Sequence, residues 1–459
     1  MIRTCWAIAV LILLTGCASQ LEAPPETSEV VDDALPETTA VAPEWTAPAG
    51  DTGAVDDDWL QTFNDPELEA LVDEALHERN PNLRLLAAQV DRARGAARLA
   101  GAALQPTVAL GAEVSGVSGT QSGGSSSAGA GVAVSWEADV WGRVQAGAQA
   151  AEENLRASIA DFEFARQSIV ANLAKSWYLA TELNQQRLLA ESLVELLAEM
   201  VELVETKERV GQVSMQDVYL VRADLAAAED ALRQAVSGQQ QARRALEILL
   251  GRYPAGEIEG AADIPDRPPE ITAGIPADLI QRRPDLVAAE RRVASAFFLT
   301  EEARLAQLPS FNLTVGAGGS SSMDELLGNL ALGMVAPLYT GGALEAQLDI
   351  ATADQQAAIG AYGAQLLAAF EEVEGGLLNE SLLAEREQFL RSTVSNNGEA
   401  LKLARTQYDV GQIELLNVLQ IQSRWIGSKV GLLRVRNEQL ANRIDLHLSL
   451  GGSFEANED

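Results

Sequence analysis

The residues able to do chemistry in this 459-residue chain are two histidines, two cysteines and a surplus of acids, 66 Asp and Glu against 33 Lys and Arg. His77 and His447 lie far apart in sequence and in unlike helical patterns, so their spacing offers neither a shared metal nor a proton relay. HExxH, GxSxG, Walker A and GxGxxG do not occur. Hydrolysis of cell-wall glycan would need two carboxylates held across a cleft. In so acidic a chain, Asp and Glu are first of all solvated helix faces. No catalytic residue, metal or bound cofactor is expected. The formal charge of −33 excludes nucleic acid as a partner, because neutralising phosphates takes clustered Lys and Arg. Two origins of the acidity stay open: a surface adapted to a salt-rich habitat, and an acidic lumen that selects cations.

The thiol at Cys17 has a different chemistry in view. Arg3 precedes an apolar run from Trp6 to Leu14 that is too short to span a bilayer as a helix, which reads as a signal peptide over residues 1–16. The run ends in Leu14-Thr15-Gly16-Cys17, which resembles the lipobox of bacterial lipoproteins, with Cys17 as the acylated residue. A plain secretory signal with an incidental Cys is the alternative. In that class of lipoprotein, Ala18 after the Cys implies delivery to the outer membrane. The other thiol, Cys5, falls inside the signal, so no disulfide framework is available to the mature chain. Residues 17–58 are rich in Ala, Pro, Glu, Thr and Asp and lack Lys and Arg, which predicts a disordered acidic tether behind the lipid.

An internal duplication organises the chain beyond the tether. Pro81 and Pro106 bracket a helical segment of the same length as Pro284 and Pro309, and each leads into a Gly-rich alternating stretch. Further on, Thr206, Gly211, Gln212, Val218, Leu250 and Gly251 recur at a constant offset of 200 as Thr406, Gly411, Gln412, Val418, Leu450 and Gly451. This gives two structural repeats, 59–260 and 261–451, and a short tail, 452–459. The apolar positions Val218, Val221, Leu225, Ala228, Leu232 and Ala235 step by three and four, as do Val418, Ile421, Trp425, Ser428, Leu432 and Val435, which is a coiled-coil seam. Leu189, Leu193, Leu196, Met200 and Leu203 continue the pattern on the preceding helix. A helix from about 147 to 210 would run on the order of 90 Å, longer than a globular domain needs. At the start of the first repeat, Asp65-Pro66-Glu67 offers an N-cap, a first-turn proline and a first-turn acid.

Two stretches in each repeat alternate with period two. Val108, Leu110, Ala112 and Val114 share a face, and Val132, Val134 and Trp136 return after a Gly/Ser loop; Phe311, Leu313, Val315 and Ala317 pair similarly with Leu330, Leu332 and Met334. The strand pairs near 107–137 and 310–337 have the length of transmembrane barrel strands, although a soluble hairpin would alternate too. Four strands cannot close around a channel, and open edges in lipid leave backbone groups unsatisfied. Oligomerisation must supply the rest, as eight strands from two copies or twelve from three; the physics leaves both open.

The stretches VSWEADVWGRV, IPADLIQRRPDLVAAERRVASA, APLYTGGAL and YDVGQIELLNVLQIQSR resemble the hallmark segments of TolC-like outer membrane factors, specifically the NodT-type outer-membrane lipoproteins of multidrug efflux systems. The resemblance runs from about Trp59 to Gly451. It implies an α+β, mostly α fold: a long antiparallel coiled-coil helical barrel plus a transmembrane β-barrel, four strands per protomer and twelve in a homotrimer. It further implies a passive conduit for small molecules such as drugs, lipid-anchored in the outer membrane and extending into the periplasm. The implied partners are a periplasmic adaptor (a membrane fusion protein), an inner-membrane pump and outer-membrane lipid.

By the same resemblance, the helix-to-helix turns meet the adaptor. The tip residues are Gly211, Gln212 and Ser214 in the first repeat and Gly411, Gln412 and Glu414 in the second. Family members often close the tunnel with acids near the second tip, but Asn417 and Gln420 stand there instead. Asp217 in the first repeat joins them as a candidate gate, with simple helix capping as its alternative role. Trp136 and Trp141 suit either an interfacial aromatic girdle or packing at the barrel neck. The competing reading of the whole chain is a lipid-anchored periplasmic adaptor or coiled-coil structural protein. One hairpin flanked by compact β-rich halves would mark an adaptor, whereas two hairpins and two strand pairs occur here.

Overall fold

The computed structural model describes residues 21–36, 38–39, 41–48, 53, 55, 57–77, 80–117, 125–265, 267–269, 271–320 and 327–455. Cys17 and the signal peptide lie outside the described residues, as do the centres of both strand-connecting loops, 118–124 and 321–326.

Duplication is visible in the element lengths. Helices α3 (Pro81–Ala102) and α7 (Pro284–Leu305) have 22 residues each, and strands β1 (Thr107–Val117) and β3 (Ser310–Ser320) have 11 each. Helices α4 (Arg143–Arg209) and α8 (Ala343–Asp409) have 67 each, about 100 Å at the α-helical rise. Helices α5 (Met215–Leu249) and α9 (Leu415–Ser449) have 35 each. Strands β2 (Ser125–Ala138) and β4 (Leu327–Val335) differ, with 14 and 9 residues. Among the described residues the remaining α-helices are α1 (Thr27–Ala34), α2 (Pro66–Ala75) and α6 (Pro276–Arg282). As the sequence indicated, Asp65 caps α2, its side chain accepting from the Leu68 amide at 3.1 Å.

The chain divides into two compact units that cut across the repeats. One comprises 1–40, 87–162 and 285–366, the other 41–86, 163–284 and 367–459, so both repeats contribute to each. The first unit holds a four-stranded antiparallel sheet in the order β1-β2-β3-β4. The second is built around a core in which Trp59, Phe63, Leu68, Trp177, Tyr178, Leu246 and Ile444 are buried together. Trp177 Nε1 donates to Asp65 Oδ2 at 2.7 Å, which ties the α2 cap to α4.

The tether reading of residues 17–58 needs correction where the segment is described. Thr27–Ala34 is a helix with a reciprocal Glu26/Glu29 capping box, and Val30 and Val31 are buried. Thr27 Oγ1 donates to Glu290 Oε1 at 2.8 Å in the first unit. In the second unit, Trp45 Nε1 donates to the Ala273 carbonyl at 3.1 Å, while Glu374 accepts from the Thr46 and Ala47 amides at 2.7 Å each. Composition averaged over the segment concealed a short apolar group and one anchoring Trp.

Candidate functional site

The sheet sorts its side chains as period-two alternation demands. Val108 pairs with Val134, Val134 with Val315 and Val315 with Leu330; Trp136 pairs with Leu313, and Leu313 with Leu332. These residues therefore share one face, on which Leu110, Val114, Leu330 and Leu332 are strongly exposed. The opposite face carries Thr107, Ala109, Gly111, Ala133, Ser135, Thr314, Gly316 and Asn329. An exposed aliphatic face backed by a small, polar one is the arrangement of a lipid-facing barrel wall. Within the sheet, β1 and β4 each pair on one side only, which leaves two edges to be satisfied.

Glycines turn the chain where strand gives way to helix. Gly142 has φ +83°, and Gly341 and Gly342 have φ +67° and +84°, conformations that L side chains rarely adopt. Trp141 Nε1 donates to the Pro309 carbonyl at 2.8 Å, and Trp136 Nε1 to the Leu104 carbonyl at 3.1 Å. Both indoles thus hold strand to adjoining segment. Arg143 grips both oxygens of Glu137, at 2.8 and 2.9 Å.

Both helix-to-helix tips are Schellman turns. Gln212 N–H donates to the Lys207 carbonyl and Gly211 N–H to that of Glu208; Gln412 and Gly411 repeat the pattern on Gln407 and Tyr408. Gly211 and Gly411 have φ +76° and +74°, and nothing beyond the adjoining residues lies within 4 Å of where a Cβ would stand on either. Beside them Val210 and Val410 are exposed.

The starts of the following helices differ. Ser214 and Asp217 form a reciprocal capping box: Asp217 Oδ2 accepts from the Ser214 amide at 2.9 Å, and Ser214 Oγ accepts from the Asp217 amide at 3.3 Å. Asp217 therefore caps α5. Glu414 holds the same position before α9 and makes no side-chain cap. Asn417 and Gln420 are exposed, alternating with buried Leu415, Val418 and Leu419.

Several residues at this end were not singled out from the sequence. Lys207 Nζ lies 4.1 Å from the centre of the Tyr408 ring, a cation–π contact between α4 and α8. Burial, and then the charges of Asp217 and Asp409, push the Tyr408 phenol above its ordinary range. Arg222 Nε donates to Glu205 Oε1 at 3.0 Å, pinning α5 to α4. The offset of 200 could have flagged that pair, since its counterparts are Gln422 and Arg405.

His447 is buried and stacked on Trp59 at 5.6 Å between ring centres, and burial, aided by Arg443, lowers its pKa to about 3. Such a ring stays neutral across the physiological range. Among the described residues no group of three His, Cys, Asp or Glu could hold a metal ion, and no helix is long and apolar enough to cross a membrane.

A strand sheet with a lipid-compatible face and open edges, carried by a chain with paired long helices and duplicated turns, defines the protomer of a TolC-like outer-membrane channel. Comparison with known proteins agrees. The sequence profile of the outer membrane efflux protein family matches residues 71–252 and 275–452. OprJ, an outer membrane protein of Pseudomonas aeruginosa, is 30% identical over 445 residues, 90% of this chain and 91% of its own. The pyoverdine export outer membrane protein OpmQ of Pseudomonas putida is 29% identical over 444 residues, 92% of this chain and 94% of its own. Among solved structures, the open state of the Neisseria gonorrhoeae MtrE outer membrane channel matches at TM-score 0.82 and 25% identity, covering 95% of this chain and 98% of that one. The Campylobacter jejuni CmeC outer membrane channel matches in fold at TM-score 0.85 and 20% identity, over 96% of each chain. This chain belongs to the outer membrane efflux protein family. It is an outer-membrane efflux channel, and the family's members are channels.

Proposed function

We propose that three copies assemble into a passive conduit, with a twelve-stranded barrel in the outer membrane and the tips docked on a periplasmic adaptor of an inner-membrane pump. The single observation that supports assembly best is the sheet: β1 and β4 each keep one unpaired edge, and one face is aliphatic. In hydrocarbon each unpaired backbone group costs several kcal/mol, so the edges must be closed by neighbouring copies. Three copies are favoured over two because twelve strands enclose a lumen, whereas eight are filled by side chains.

Cys17 carries the proposed lipid, an auxiliary tether to a barrel that would hold the membrane by itself. Energy enters at the pump, so the chain does no catalysis. Small molecules such as drugs are the proposed cargo. The adaptor meets Gly211, Gln212 and Ser214 in the first tip and Gly411, Gln412 and Glu414 in the second. The open space over both glycines supports this reading, since it lets a partner backbone approach closely. The proposed gate lies within the first two turns of the helices that follow, at Asp217, Asn417 and Gln420.

Site-specific photo-crosslinking from Gln212 and Gln412 in cells carrying the cognate adaptor tests the docking. Adducts with the adaptor from both positions are expected, and none from the strand face at Leu110. Crosslinks from neither tip in cells that export normally would sink the assignment.

A further inference from the structure

The second unit contains a cavity of about 250 Å³ walled by α4, α5 and α9. Leu193, Leu197, Leu419 and Ile426 supply aliphatic wall, and Asp224 and Gln422 also line it. Gln422 is 2% exposed, and neither its Oε1 nor its Nε2 has a hydrogen-bond partner. A buried amide with both ends unmatched is rare in a native structure, so it calls for a ligand or a function. The duplication makes the anomaly sharper: at the equivalent position of the first hairpin, Arg222 is satisfied by Glu205. Asp224 is exposed where it lines the cavity, and no ion pair holds it among the described residues.

We propose that this cavity binds small aliphatic amines that also carry a hydroxyl, with the ammonium on Asp224, the polar groups matched to the Gln422 amide, and the hydrocarbon against Leu193, Leu197, Leu419 and Ile426. The ammonium N–H donates to the Asp224 carboxylate, while the hydroxyl oxygen accepts from Gln422 Nε2 and its O–H donates to Oε1. A cavity of this size admits roughly ten non-hydrogen atoms, a short-chain amino alcohol and not a drug-sized molecule. Because the site is walled by helices of both hairpins, an occupant would bridge them. The site is independent of adaptor docking at the tips.

Thermal unfolding of the intact assembled protein in lipid nanodiscs tests this, with 6-aminohexan-1-ol as probe and hexan-1-ol as control. The wild type should gain about 2–4 °C with the amino alcohol at saturation and less with the alcohol. Gln422→Leu should melt higher without ligand, because the unmatched amide is gone, and should lose the response. Asp224→Asn should respond equally to both probes. No shift in the wild type, or an equal shift in Gln422→Leu, would overturn the site. If Gln422→Leu fails to assemble, a crystallographic soak of the wild type decides: probe density in the cavity supports the site, and ordered water alone overturns it.

Discussion

The two hairpins share helix lengths, turn type and apolar seam, yet they are pinned differently. The first starts its return helix with the Ser214/Asp217 box and crosslinks its two helices through Arg222 and Glu205. The second has Glu414 without a side-chain cap, and Gln422 and the Nε of Arg405 are buried without partners. Close to the turn it relies on packing instead: Leu415 is 2% exposed, while its counterpart Met215 is 50% exposed, and the ion pairs between the second hairpin's helices, Arg386–Glu438 and Arg436–Glu387, lie farther from the tip. Duplication has thus conserved backbone and seam while the polar fastenings diverged. Packing without directional bonds near the turn resists separation but not sliding, so the first turn of α9 should open more readily than that of α5.

The largest effect should come from the feature the hairpins share. Gly211→Leu or Gly411→Leu meets no neighbour within the protomer, so assembly should survive, with about 1–2 kcal/mol of left-handed strain per site. The side chain would nevertheless obstruct a docking partner at the centre of the contact, at about 2 kcal/mol or more, roughly thirtyfold in affinity. Drug susceptibility of a strain complemented with each variant measures the outcome; unchanged tolerance from both would refute tip docking.

Next in size is a pH effect at another position where the repeats diverge. Glu247 and His447 occupy equivalent sites, both buried. Burial opposes the Glu247 charge, but the Gly256, Glu257 and Ile258 amides outweigh it and hold the carboxyl below its ordinary range. His447, depressed to about 3, binds fewer protons folded than unfolded. Its contribution is therefore complete above its unfolded value near 6.5 and is lost as pH falls from there toward 3. The Glu247 contribution is complete above about 4.5 and fades only at lower pH, through its depressed folded value. Melting temperature against pH should thus decline in two stages, and His447→Gln should flatten the upper one; an unaltered slope between pH 6 and 5 would contradict this.

Smaller effects should convert one hairpin into the other. Ser214→Ala should cost about 1 kcal/mol and Glu414→Ser should gain a similar amount, read as faster and slower amide exchange in the first turns of α5 and α9. Smallest is Arg222→Gln, worth about 0.2–1 kcal/mol for a part-exposed ion pair. If exchange in the two hairpins is already equal in the wild type, their polar differences have no mechanical consequence.

Much of the architecture was legible in the sequence because it depends on period and repetition. The offset of 200 located both tips and both seams, and alternation in β1 to β4 identified the faces that the register confirms. The cap at Asp65 and the capping alternative for Asp217 were likewise local signals. What could not be read depends on distant partners. Lys207 over Tyr408 and Trp45 on Ala273 join residues that no spacing rule relates. The apolar pair Val30–Val31 was too short to outweigh the acidic composition around it. Asp217 is partly legible: its capping role is local, whereas its influence on Tyr408 exists only once α5 and α8 are packed.

The central claim is that the open sheet is completed by identical copies, and counting the copies tests it most directly. The measurement is native mass analysis of the protein extracted from outer membranes, alongside its conductance in planar bilayers. Conducting particles of three chains, dissociated by heating to non-conducting monomers, are the expected result. A stable monomer that remains in solution without detergent when Cys17 is replaced by Ser would contradict it.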